Sequence, residues 1–286
     1  MLNKIKIICD STCDISVEKL NELDIDYLPL YVVMKDKYYK DIVDVKWSDI
    51  IKMVDEEKEL PKTAAVNVDT FIEAFKKYVD LGYEVIFLSI GSNFSSNYNN
   101  ARLAAEEFDG KVFVIDSMNL SSAQGLLLLK MDKYKKEGLS AKEIVERIKE
   151  LIPLTITETA LETMKYLHKG GRCSSLKYYI GVVLKIYPVV RVTDGVINVH
   201  KLGKLLFKKA LNIIISDFKN DYENDNVDSD YIIISTVGNE KGQKYLYEKI
   251  SEFFPKDHIL LYDAGCVVST HCGPGTTGFF YIKKHE

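Results

Sequence analysis

The sequence predicts an α/β protein of two parts: an N-terminal Rossmann-like parallel sheet flanked by helices, and a C-terminal α/β domain. Three observations carry this expectation. Short apolar runs of strand character alternate with amphipathic stretches of helical period along the whole chain, the pattern of parallel strands covered on both faces. The run at 84–90 is continuous and apolar, as a strand buried on both sides requires. A length of 286 residues gives room for two ordinary domains, expected at 1–152 and 153–286, the second contributing to the pocket.

Taken in order, 5–9 is a short strand ending in Asp10-Ser11-Thr12, and Ser16 caps an amphipathic stretch at 17–23. Residues 27–33 are β-like, and Pro29 favours an edge position or a strand start. Helices are expected at 47–57 and 70–81, the second capped by Asp69. The connection between them carries one conspicuous hydroxyl, Thr63. After strand 84–90 comes a loop at 91–97 and a helix at about 98–108. A strand at 112–115 ends in Asp116-Ser117, a long helix starts near Ser122, and Ser140 with Glu143 forms a capping box for the next. The second half begins near Ile152-Pro153, with a strand at 154–157 and a helix at 160–168. Lys169-Gly170-Gly171-Arg172-Cys173 follows, then an apolar helix-like run at 178–184. A hairpin pairs 187–193 with 196–200 around Asp194-Gly195, a strong turn signal. Next come a helix at 204–218 and an acidic stretch at 221–230, read as a solvated loop. A strand at 231–236, a helix at 241–254 and a strand at 259–262 lead to a closing loop, 269–278, and a short strand at 279–282.

Composition excludes several classes. A chain that is 47% hydrophobic and 28% charged is globular, and its net charge of -4 argues against nucleic acid as the main partner. No segment reaches the apolar length of a membrane helix, and the N-terminus runs directly into a strand. A cytoplasmic location with at most transient membrane contact is expected. Five cysteines, an odd number, suggest reduced thiols. The spacing of Cys9 and Cys13, or of His271 and Cys272, fits no standard zinc pattern, so no metal is expected.

Ligands of parallel α/β sheets sit outside the carboxyl ends of the strands, where Asp10, Ser11, Thr12, Ser92, Asp116 and Ser117 fall. The closing loop adds His271 among glycines. Gly273, Gly275 and Gly278 match G-x-G-x-x-G, but a strand follows where the dinucleotide fingerprint needs a helix, and Phe279 stands where a P-loop has its lysine. Thr63, Ser92, Ser95, Arg172 and His271 are the candidates. Each has a plain structural reading as a turn or helix cap, a surface ion pair or a core histidine. No G-x-S-x-G elbow occurs to support a serine hydrolase. A pocket of hydroxyl donors without an evident base or nucleophile fits an anionic head group.

In this order the residues resemble the DegV family of bacterial fatty-acid-binding proteins, the lipid-carrying partners of fatty-acid kinase. The resemblance rests on Asp10-Ser11-Thr12, Thr63, the loop from Gly91 to Tyr98, and Asp116-Ser117. It continues through Leu167 with Gly170-Gly171-Arg172, the segment from Leu184 to Val189, Asp194-Gly195, and His271 with Gly273 and Gly275. It implies that one long-chain fatty acid is enclosed, its carboxylate held by Thr63, Ser92 and Ser95. A separate kinase subunit then phosphorylates that carboxylate, and the acyl phosphate is carried toward phospholipid synthesis. Arg172 and His271 match residues implicated in engaging the kinase or the phosphoryl group. Asp10, Ser11, Ser117, Gly273 and Gly275 would support the pocket. No cofactor and no catalytic residue are implied. The chain departs from the family pattern at Ala64, Gly91, Ser96, Asn97 and Cys173, which bears on Ser95 more than on Ser92 or Thr63. On this reading Thr63→Ala or Ser92→Ala impairs phosphorylation more than lipid retention. The rival reading is a stand-alone α/β hydrolase-type enzyme acting through His271 on a small anionic substrate.

Overall fold

A computed structural model describes residues 4–173 and 185–284. The first part runs through β1 (Lys4–Asp10), α1 (Val17–Glu22), β2 (Ile25–Leu28), β3 (Tyr31–Met34), β4 (Lys37–Lys40), α2 (Trp47–Glu57) and β5 (Lys62–Ala64). It continues with α3 (Val68–Val79), β6 (Tyr83–Ser89), α4 (Asn97–Ala105), β7 (Val112–Asp116), α5 (Ser122–Lys136) and α6 (Ala141–Leu151). β2, β1, β6 and β7 form a four-stranded parallel sheet in that order. Side chains alternate across it. Val85 and Phe87 of β6 pack with Phe71, Phe75 and Ala101 of α3 and α4, and Ile86 and Leu88 pack with Leu127, Ile144 and Ile148 of α5 and α6. Both faces are covered, which is why β6 reads as an unbroken apolar run.

Residues 27–33 are not one strand. Pro29 has no N–H to give to a ladder, and the chain leaves the parallel sheet at β2 to start β3 in a separate antiparallel sheet, β4-β3-β5. That small sheet sets Thr63 opposite Val32. The cap of α3 is Asn67, whose Oδ1 accepts the Thr70 N–H at 2.8 Å, so the helix starts before Asp69.

The second part comprises β8 (Thr155–Ala160), α7 (Lys165–Lys169), β9 (Ile186–Thr193), β10 (Val196–Lys204), α8 (Phe207–Glu223), β11 (Ile232–Thr236), α9 (Glu240–Ile250), β12 (Ile259–Asp263), α10 (Cys266–Cys272) and β13 (Thr277–Ile282). The apolar run at 178–184 lies outside the described residues. The sheet is mixed, in the order β10-β9-β8-β13-β11-β12, rather than parallel. Only β11 and β12 run parallel; β9 and β10 make the hairpin turned at Asp194-Gly195, and β13 enters antiparallel between β8 and β11. Alternation of strand and helix does not reveal an insertion of that kind.

Three further expectations change. β8 runs on to Ala160 because that stretch pairs on both sides, with β13 and β9, so the following helix is only the short α7. The acidic stretch is not simply solvated: 221–223 end α8, Asp221 accepts from the Tyr281 hydroxyl at 2.6 Å, and Asp228 and Asp230 grip Lys130 of α5 at 2.6 and 2.7 Å. The first four residues of the expected closing loop, 269–272, belong to the helix α10. Ile233, Phe280 and Ile282 of the second sheet join the core that lies under α5 and α6, so one apolar cluster bridges the two parts.

Candidate functional site

The site is assembled where β1 and β6 end. Asp10, fully buried, closes β1 and accepts from the Thr12 N–H and hydroxyl (3.1 and 2.6 Å), the Ile90 N–H (2.7 Å), the Asn97 amide (3.0 Å) and the Gln124 amide (3.3 Å). Burial pushes its pKa up and these donors hold it down. One carboxylate thus ties the ends of two strands to the starts of α4 and α5. Ser117 is also buried; its hydroxyl donates to the Asn119 carbonyl at 3.0 Å and shapes the turn that aims Leu120 inward.

His271 sits in the last turn of α10, and α10 belongs to the second part yet is anchored in the first. Asp41 Oδ1 accepts the Cys266 and Val267 N–H groups at 2.7 and 3.3 Å, and its Oδ2 accepts the Ser11 hydroxyl at 2.7 Å. Asp14 accepts the Gly265 N–H at 3.2 Å and the hydroxyls of Ser121 and Ser122. Burial raises both carboxyls to about 6. So held, His271 places Nε2 2.9 Å from Thr63 Oγ1. Its Nδ1 is buried with no hydrogen-bond partner among the described residues. It lies against Gly170, where a Cβ would overlap it. Burial, then the Arg172 charge, lower the imidazole to about 4, so it is neutral at physiological pH.

Thr63, His271, Ser95 and Arg172 line one cavity of about 110 Å³ with Phe94 and Ile90. Ser95 Oγ accepts the Asn97 N–H at 3.2 Å, which leaves its own hydrogen to give. Arg172 is exposed and donates to the carbonyls of Gly170 and Phe94. Ser92 is not on this wall; its N–H donates to Asp116 at 3.1 Å. Gly273 and Gly275 both have positive φ, and side chains there would strike Tyr166 and Glu162. They turn the chain tightly from α10 into β13.

Leu120, Leu167, Ile197, Val268 and Cys272 wall this cavity and also a second, narrower one of about 30 Å³ that runs on to Val190, Val237 and Phe280. The two cavities adjoin across these five side chains, between the parts. On the other side, Thr63, Arg172 and His271 face a cleft of about 510 Å³ bordered by Lys58, Lys62 and Lys169. The Thr63–His271 pair therefore stands between an apolar interior and a basic exterior. That arrangement can hold an amphiphile by its anionic end.

Sequence reading missed Asp14, Asp41, Asn97, Asn119 and Gln124. Polar residues so near strand ends were the available signal, but their partners lie far along the chain. Among the described residues Glu158, His200 and Asp217 could share a metal ion, yet Arg191 and Lys201 already pair with these carboxylates. An ion-pair network accounts for them. All five cysteines are buried, and the Cys173 thiol donates to the Ile197 carbonyl at 3.3 Å.

A family model described as an uncharacterised DegV-family protein matches residues 4–284. A DegV domain-containing protein of Clostridium acetobutylicum is 33% identical over 99% of this chain and 100% of its own length. A DegV-family protein from Thermus thermophilus, solved as a fatty-acid-binding structure, is 25% identical with a TM-score of 0.91, covering 98% of this chain and 100% of that one. A Thermotoga maritima protein whose structure revealed fatty acid binding is 28% identical with a TM-score of 0.84, covering 99% and 100%.

Proposed function

The chain belongs to the DegV family, and we propose that it binds one long-chain fatty acid and presents the carboxylate to a separate fatty-acid kinase. The acyl phosphate would then be carried toward phospholipid synthesis, in the cytoplasm. The observation that carries this reading is the pair of adjoining, largely apolar cavities with Thr63 and His271 on one wall, the same two residues also facing a cleft bordered by lysines.

The tail occupies the two adjoining cavities between the parts, which meet near residue 152. Burying each methylene contributes about 0.8 kcal/mol, on the order of 10 kcal/mol for a long chain before ordering costs. Thr63 and Ser95 donate to the carboxylate, each bond worth about 1 kcal/mol net, so the head group sets register more than affinity. Ser92 braces the loop from outside the wall. Arg172, with the lysines of the outer cleft, lies where negative charge grows during phosphoryl transfer.

The hydrolase reading fares worse. Thr63 and His271 have the spacing of a nucleophile and base, but no acid backs Nδ1 among the described residues, and an imidazole lowered to about 4 is a weak base at neutral pH. The test is lipid extraction and native mass spectrometry of the purified protein, followed by incubation with a fatty-acid kinase and ATP. A co-purifying fatty acid that becomes phosphorylated is expected. An empty protein that takes up no added fatty acid would sink the proposal.

A further inference from the structure

We infer that Phe280, its ring laid back over Gly278 in β13, closes the tail end of the lipid chamber and sets the chain length the protein accepts. This rests on the reading above that an acyl chain fills the two adjoining cavities. It gives Gly278, which the tight turn out of α10 does not explain, a role of its own.

Gly278 lies inside β13 and has no positive φ, so its backbone would admit any residue. A glycine within a strand weakens it and often marks a place where another group comes close. Here that group is Phe280, two residues on and therefore on the same face. A Cβ on Gly278 would stand 2.6 Å from Cε2 and 2.7 Å from Cζ of its ring. The ring can fold back along the strand because residue 278 has no side chain.

That face is a wall of the inner cavity. Gly278 stands opposite Thr159 of β8 and Ser235 of β11, and all three line the cavity of about 30 Å³ together with Phe280. Phe280 lies beyond the five side chains that this cavity shares with the one at Thr63. A chain held by its head at Thr63 thus meets the ring with its tail. Away from the cavity, Phe280 packs with Ile233 and Ile282 in the core under α5 and α6. A close-packed core does not give way to an added methyl group. A ring lifted off Gly278 therefore moves into the cavity and takes the space of the last methylenes.

Laurate, palmitate and arachidate differ only in length, and their affinities are measured on the delipidated full-length protein. Gly278→Ala should lose about tenfold in palmitate affinity, roughly 1.4 kcal/mol, with laurate unchanged. That is the scale of one or two methylenes kept from burial. Phe280→Leu, whose side chain reaches less far, should gain several-fold on arachidate relative to palmitate. The double variant should recover the palmitate binding that Gly278→Ala loses. Equal loss of all three acids in Gly278→Ala, as a purely structural glycine would give, overturns the inference. So does a Phe280→Leu protein with the parent's length preference, or a double variant as impaired as Gly278→Ala. If Gly278→Ala does not fold, Phe280→Leu decides alone. Failure of the parent to bind any of the three acids would instead strike the proposed function. A crystal structure of Gly278→Ala would then still judge the ring: displacement into the cavity is expected, and displacement toward α5 overturns the inference.

Discussion

Asp14 and Asp41 are carboxyls sealed in the seam between the two parts, and their pKa values near 6 exceed the ordinary carboxylate value of about 3.9. The folded protein therefore binds protons that the unfolded chain has released. The stability these groups confer is complete below about pH 4 and is lost as pH climbs through about 6. His271, lowered to about 4, has the opposite sign: stability falls as pH drops below about 6.5. Comparing a variant with its parent isolates one group. Asp14→Asn can keep the Gly265 N–H through its carbonyl and donate to Ser121 and Ser122. We expect it to be more stable than the parent at about pH 8, by on the order of 1–2 kcal/mol, and no more stable at about pH 4. Urea unfolding at the two pH values checks this; a variant equally destabilised at both contradicts it. These carboxylates were not legible in the sequence, since the partners of Asp41 lie 30, 225 and 226 residues away. Thr63, Arg172 and His271 drew notice because a hydroxyl, a cation or an imidazole stood beside glycines or in a connection.

At the scale of elements, α10 is the instructive case. Its seven residues include Val267, Val268 and Thr270, β-branched side chains that disfavour a helix, and it follows Gly265 with no cap of its own. Nothing local announces a helix, and the stretch reads as a loop. What starts it is Asp41, from another part of the chain. Asp41→Ala removes that acceptor and strands the Ser11 hydroxyl, at a cost of about 1–3 kcal/mol. The damage should centre on α10: amide exchange at 266–272 is expected to rise well before exchange in β6, and fatty-acid affinity to fall as His271 loses its seat. Uniform exchange across the molecule would contradict it. By contrast β1, β6, β7, α2, α5 and α6 announced themselves by period and caps, because their own residues decide them.

For the whole molecule, the alternation of strands and helices gave the α/β class and the parallel first sheet, while the order of the second sheet depends on pairings between distant segments. The adjoining cavities draw their walls from both parts, with Leu120 from one and Val268, Leu167 and Ile197 from the other. A ligand there stabilises the folded state by RT ln(1 + [L]/Kd), about 2.7 kcal/mol at a hundredfold excess over Kd. Palmitate should therefore raise a single melting transition rather than one of two. Val268→Phe narrows the waist shared by the two cavities, so the co-purifying lipids should shift to shorter chains, with laurate favoured over palmitate in thermal shift. An unchanged lipid profile would show that the tail runs elsewhere.

β13 lies between β8 and β11 in the second sheet and is the last strand in chain order among the described residues. During synthesis its two neighbours emerge from the ribosome with facing edges and nothing to fill the gap. Unpaired edges of this kind recruit other chains. The parallel sheet, by contrast, has every strand in hand once Asp116 has left the exit tunnel. Nascent chains stalled before Thr277 should consequently depend on a chaperone, whereas those stalled after residue 152 should not.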